Sequence, residues 1–147
     1  SPARIILDKK LNTPINSRII KGGKIFPTII FYNKIIKRKI KKFNNLNIKL
    51  FKIPLNSNDD LDLNFLLLSL KKLGFTRIFI ESGLKLASNF LNENLVDDFK
   101  LFISSMNLKK NGRANFRKFY KSFLNNRKKL VEKVNLCGEK LITYSLK

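Results

Sequence analysis

Apolar positions recur along this chain with two periods, and the alternation between them predicts most of its elements. Arg4–Leu7 ("RIIL") and Thr28–Tyr32 ("TIIFY") are short, nearly continuous apolar runs of the kind found in buried strands. Ile48–Ile53 ("IKLFKI") alternates like a half-buried strand and stops before Pro54. Between these, Ile35–Phe43 ("IIKRKIKKF") is apolar at 35, 36, 40 and 43, the spacing of a one-sided helix. A polar loop with Pro14 and a Gly22-Gly23 turn separates the first two strands. The stretch "NSNDDLDLNFLLLSLKKLG" offers several N-caps before an apolar helix over about 61–73, with Gly74 as its stop. Then come "RIFIE" (77–81) as a buried strand, "LKLASNFLNEN" (84–94) as a helix and "DDFKLFI" (97–103) as another strand. Residues 107–126 are the least regular. "KLVEKVNL" and "KLITYSL", parted by Cys137-Gly138-Glu139, read as a terminal strand–turn–strand hairpin.

Strands alternating with helices imply an α/β fold, with a mainly parallel sheet flanked by helices. The hairpin adds antiparallel strands at the C-terminal end. At 147 residues with no internal repeat and no low-complexity linker, the chain fits one domain over 1–147. No apolar run approaches the ~20 residues that cross a bilayer, and the basic, polar start lacks a secretory core, so no membrane partner is expected. The lone Cys137 cannot form an internal disulfide, which suits a reducing cytoplasm.

The net charge of +21 invites a nucleic-acid reading. Two features weigh against it. Lys, Asn, Ile and Phe, which share A/T-rich codons, supply about half of the chain, so mutational bias accounts for much of the lysine. Lys also outnumbers Arg more than threefold, whereas phosphate-reading surfaces favour the guanidinium fork. There is no histidine, so His-based triads, bases and metal sites are excluded. Ten scattered carboxylates and one Cys make a protein-bound transition metal unexpected. Chemistry here must come from a cofactor, a lysine, a carboxylate or the backbone.

Glu81-Ser82-Gly83 is the candidate chemistry. In an open α/β sheet, ligands bind beyond the carboxyl ends of the strands. Gly83 sits at a helix entrance, where free N–H groups and the positive dipole end suit an anion such as a pyrophosphate. Ser82 could cap that helix or donate to a phosphate oxygen. The plainer reading is a tight turn, and the residues alone leave both open; there is no GxGxxG. Glu81 would be costly at a buried strand end unless it is paired or faces a cleft. Lys9 and Lys10 follow the first strand, so they would share a sheet edge with Gly83 if the strands run parallel. Asp97 and Asp98 read as turn or cap residues. No residue stands out as catalytic.

The stretch "FIESGLKLASNFLNENLVDDFKLFI" resembles the signature of the reductase domain of bacterial riboflavin biosynthesis, as does "PARIILDKKLNTPINSRII" at the start. That domain usually follows a pyrimidine deaminase domain in one bifunctional protein. The resemblance is strongest over 2–20 and 75–103. It implies a dihydrofolate-reductase-like fold that binds NADPH and reduces the ribosylamino side chain of a phosphorylated aminouracil, with hydride delivered to the ribose C1′. It implies Glu81 as a substrate contact, and Lys9, Gly83, Leu84, Lys85, Leu86, Ala87, Ser88 and Asn89 as cofactor contacts. It also implies a homodimer. Two departures stand out: Ser82 replaces a second glycine, and "SSMNLKKNGRANF" lacks the family's proline after the strand. The resemblance begins in the middle of the reductase domain, so the chain reads as a portion of it, expected to bind NADPH weakly and turn over little by itself. Two alternatives are another pyrimidine or dihydrofolate-type reductase of the same fold, and a basic nucleic-acid-binding α/β module.

Overall fold

The computed structural model describes residues 2–34, 37–106, 123–125, 127–134 and 138–147. Cys137 and most of the irregular stretch 107–126 lie outside the described residues. The chain divides into two compact units, Ser1–Ile78 and Phe79–Lys147.

The first unit is built on a parallel sheet of β1 (Arg4–Leu7), β2 (Thr28–Tyr32) and β3 (Ile48–Lys52), in the order β1-β2-β3. In register, Ile6 faces Ile30, and Ile30 faces Leu50. All five residues of the central β2 are buried, as the unbroken run "TIIFY" predicts for a parallel strand covered on both faces. Two connections carry helices: α1 (Arg18–Lys21), continued by a 3-10 turn over Gly22–Lys24, and α2 (Lys37–Asn44). After β3, a loop closed by a Leu55–Leu61 bridge leads to α3 (Leu63–Lys72). Asp62 caps α3 by accepting from the N–H of Phe65 at 2.8 Å. Gly74 takes φ +89 just after the helix, the left-handed stop its position predicts.

One face of the sheet packs on a core of Leu11, Ile20, Ile30, Tyr32, Phe43 and Ile48. Phe31 and Phe51, register neighbours, stack at 5.5 Å. At the amino end of the sheet, the Arg4 guanidinium donates to Thr28 Oγ1 and lies over the Phe26 ring. Gly23 is required there by packing: a Cβ would run into the Ile48 side chain and come within 2.8 Å of the Leu46 carbonyl.

The second unit holds α4 (Leu84–Asn92) and an antiparallel sheet of β4 (Asp98–Ile103), β5 (Lys129–Val131) and β6 (Lys140–Ser145), ordered β4-β6-β5. The predicted hairpin is present as β5 against β6. Phe99 and Tyr144 are paired across β4 and β6 and pack with Leu91 of α4 and Leu146. Across the strands, Thr143 and Lys100 both donate to Glu132, at 2.8 and 3.2 Å.

Three expectations are corrected. Arg77–Glu81 is not a strand, and it is not buried: Ile78, Phe79 and Ile80 are 38%, 75% and 36% exposed. Its apolar residues favour a strand, but a strand exists only with a ladder partner, and none among the described residues pairs with it. Second, the strand over 98–103 pairs antiparallel to β6 rather than joining the parallel sheet. Third, the loop before β2 contains α1, which a single buried Ile20 anchors.

Candidate functional site

The carboxyl end of the parallel sheet is stitched by backbone hydrogen bonds. The Lys9 carbonyl, in the turn after β1, accepts from the N–H groups of Asn33 and Lys34 after β2, at 3.1 and 2.9 Å. The Asn33 side chain then donates to the Ile53 carbonyl at 2.8 Å, tying in the end of β3. The turn after β1 folds around Asp8, whose Oδ2 accepts from the Thr13 N–H at 2.6 Å and the Thr13 hydroxyl at 2.7 Å. Leu11, in the same turn, is fully buried at φ +52, a conformation that a non-glycine residue holds only when its surroundings fix it.

Burial raises the Asp8 carboxyl pKa, but hydrogen bonds from Thr13 and from the N–H groups of Asn12, Thr13 and Lys10 outweigh it and bring the group below its ordinary 3.8. A carboxyl whose folded pKa is depressed stabilises the fold above the unfolded value and loses that contribution as pH falls through the folded one. Urea unfolding should therefore show stability falling between about pH 5 and pH 2, and Asp8→Asn should remove part of that dependence. An identical pH profile in the variant would contradict this role for Asp8.

Lys9 emerges from this turn, as expected, but it has a partner that the sequence did not disclose. Its ammonium donates to both the backbone carbonyl and the carboxylate of Asp59, with Nζ to Oδ2 at 2.5 Å. Asp59 belongs to the loop between β3 and α3. The "NSNDD" segment offers N-caps for the helix that follows, but nothing in it points fifty residues back to Lys9.

The second set of candidate residues lies at the start of α4. Gly83, not Ser82, holds the N-cap position, at φ −71 and ψ 171, and no side chain caps the helix there. No acidic residue occupies the first turn. Among the described residues, a Cβ built on Gly83 would meet nothing within 4 Å, so no side chain is packed against this position. Leu84, Lys85, Leu86 and Ala87 form the first turn; Ser88 and Asn89 follow one turn behind Leu84 and Lys85. Lys85 is exposed, whereas Leu84, Leu86, Ala87, Ser88 and Asn89 are half-buried, and Phe90 and Leu91 anchor the helix. A helix mouth with no side-chain cap, no acid in its first turn and a lysine within that turn has the chemistry of an anion site.

Glu81 stands just ahead of α4 and is exposed. The cost assigned to it at a buried strand end therefore does not arise, because the segment carrying it is neither buried nor a strand. The expectation that Lys9 and Gly83 share one sheet edge loses its basis for the same reason: it needed 77–81 as a parallel strand. The structure brings Lys9 together with Asp59 in the first unit, and it gathers Glu81, Gly83 and the α4 residues in the second.

The family model described as the RibD C-terminal domain matches residues 1–133. Two solved structures of Acinetobacter baumannii RibD, forms 1 and 2, superpose with TM-scores of 0.69 and 0.71 at 19% sequence identity. Each match covers 98% of this chain and 37% of the RibD chain. The fold is thus α/β and dihydrofolate-reductase-like, with the parallel sheet and the antiparallel hairpin both present.

Proposed function

Because this chain belongs to the RibD C-terminal domain family, we propose that it serves NADPH-dependent reduction in riboflavin biosynthesis, as part of the cytoplasmic reductase that acts on a phosphorylated ribosylaminouracil. The observation that carries the reading is the mouth of α4: an open glycine N-cap and a first turn without acid, at the place where the family resemblance puts cofactor contacts. The bound cofactor would supply a hydride to the ribose C1′, giving the ribitylamino product. Gly83 admits a phosphate group to the N–H groups of Leu84, Lys85 and Leu86, and the Lys85 ammonium adds charge complementarity. Ala87, Ser88 and Asn89 continue the surface along the helix. The family resemblance also assigns Lys9 to the cofactor, and its ammonium is the group in the first unit suited to a phosphate. Glu81 accepts hydrogen bonds from the N–H groups of the pyrimidine ring; it orients the substrate and is not assigned a proton transfer.

The chain spans about 37% of the length of the RibD structures that it matches, so by itself it is expected to bind the dinucleotide weakly and to show little turnover. Exposed Leu130 and Val131 on the edge strand β5 support self-association through the terminal sheet. Thermal melts with NADPH, NADH and duplex DNA, run side by side, test the reading. NADPH at about ten times its Kd should raise Tm by a few degrees, and DNA should not. Stabilisation by DNA alone, lost steeply with salt, would favour a nucleic-acid module instead.

A further inference from the structure

We propose that Asp59 is a resident substitute for a ligand phosphate: its carboxylate holds the Lys9 ammonium at the carboxyl end of the parallel sheet, and a phosphate or pyrophosphate group binds there by displacing it. The inference rests on the reading of Lys9 as a cofactor contact and adds to it a competitor that the chain itself supplies.

The loop that presents Asp59 is tightly organised. Asn56 Oδ1 accepts from the N–H groups of Asn58 and Asp60, both at 3.0 Å. The Asn56 N–H donates to the Asp60 carbonyl at 2.8 Å, and the Asp59 N–H donates to the Asn56 carbonyl at 3.1 Å. The Leu55–Leu61 bridge closes the base. Asp59 itself sits at φ +58, which turns both its carbonyl and its carboxylate onto the same ammonium. None of these loop bonds uses the Asp59 carboxylate, so that group is spent on Lys9.

The surrounding charge makes the position attractive to an anion. The hydrogen bond and charge of Lys9, then the charges of Lys34 and Lys10, hold the Asp59 carboxyl below its ordinary pKa. Lys34 follows β2, and its N–H is bonded to the Lys9 carbonyl, so the turns bearing Lys9 and Lys34 are fixed to each other. Asp59 is 69% exposed at its side chain, and Lys9 is 25% exposed. An ion pair this open to water is weak and exchangeable. A dianionic phosphate offers the same ammonium more charge and more acceptor oxygens than a single carboxylate does. Asp59 therefore keeps the lysine positioned in the free protein and lowers its apparent affinity for ligand.

Asp59→Asn isolates the charge. Asn tolerates the left-handed conformation as well as Asp does, and the loop bonds remain. NADPH, NADH and inorganic pyrophosphate are titrated into the 147-residue protein, Asp59→Asn, Lys9→Gln and the double variant, with Tm measured for each. Asp59→Asn should tighten binding about three- to tenfold, the order expected for removing one weak competing pair and its repulsion. A gain for NADPH alone identifies the ribose phosphate as the group at Lys9; equal gains for all three probes identify the pyrophosphate. Lys9→Gln should cancel the gain. Unchanged affinity in Asp59→Asn, or a gain that survives Lys9→Gln, overturns the proposal. If Lys9→Gln weakens NADPH while Asp59→Asn does nothing, the competitor is rejected and the cofactor contact stands. If no variant binds any probe, both fall.

Discussion

Phe43→Ala is expected to cost the first unit about 3–5 kcal/mol, the largest stability loss anticipated for any single truncation here. Phe43 is fully buried, in the cluster with Leu11, Ile20, Ile30, Tyr32 and Ile48. Among the described side chains of α2 it is the buried one, since Lys41 and Lys42 are exposed and Ile40 is only half-buried. Removing the ring opens a cavity that the sheet cannot collapse into, because β2 is held in register on both sides. Domains of this size are stable by only about 5–15 kcal/mol in total, so the loss is a large fraction of the whole. Urea unfolding of the variant should give a much lower midpoint with little change in slope. An unfolding free energy within about 0.5 kcal/mol of the parent would show that α2 is not anchored through Phe43.

What the sequence disclosed and what it withheld divide along physical lines. β2 was legible because a strand buried on both faces must be apolar at every position, and "TIIFY" is. α3 was legible from its apolar run and from Gly74, which adopts the positive φ that ends it; its start lies two residues later than the run suggests, because Asp62 is the cap among several candidates. The terminal hairpin followed from two alternating runs and a short connection. Arg77–Glu81 misled because local composition reports what a segment favours, while strand formation depends on a partner ladder. The short α1 was missed because four residues carry too little periodicity to register. Within the candidate site, the helix mouth at Gly83 was foreseen from a glycine ahead of an amphipathic run. The Asp59–Lys9 pair was not, since it links two loops far apart in the chain, and contacts of that kind leave no local trace.

Gly83→Asp should separate the role of α4 in folding from its role in binding, with opposite outcomes for the two. Asp is a better N-cap than Gly by a few tenths of a kcal/mol, and its carboxylate also favours the positive end of the helix. The backbone at Gly83 is in the extended region that any residue adopts, and among the described residues a Cβ there meets nothing within 4 Å. The variant is therefore expected to fold with equal or slightly higher stability. The same carboxylate would sit where a phosphate must approach, satisfy the N–H groups the ligand needs and repel its charge. NADPH affinity is expected to fall at least about tenfold, or 1.4 kcal/mol, from the loss of charge-assisted hydrogen bonds alone. A comparison with Gly83→Ala, which adds a methyl group but no charge, should show a smaller loss.

The most direct test of the account is the titration of NADPH into the parent protein and Gly83→Asp at matched stability. Saturable binding by the parent that collapses in an equally stable variant is the predicted result. Equal binding by the two proteins would contradict the claim that the entrance of α4 receives the cofactor's phosphates.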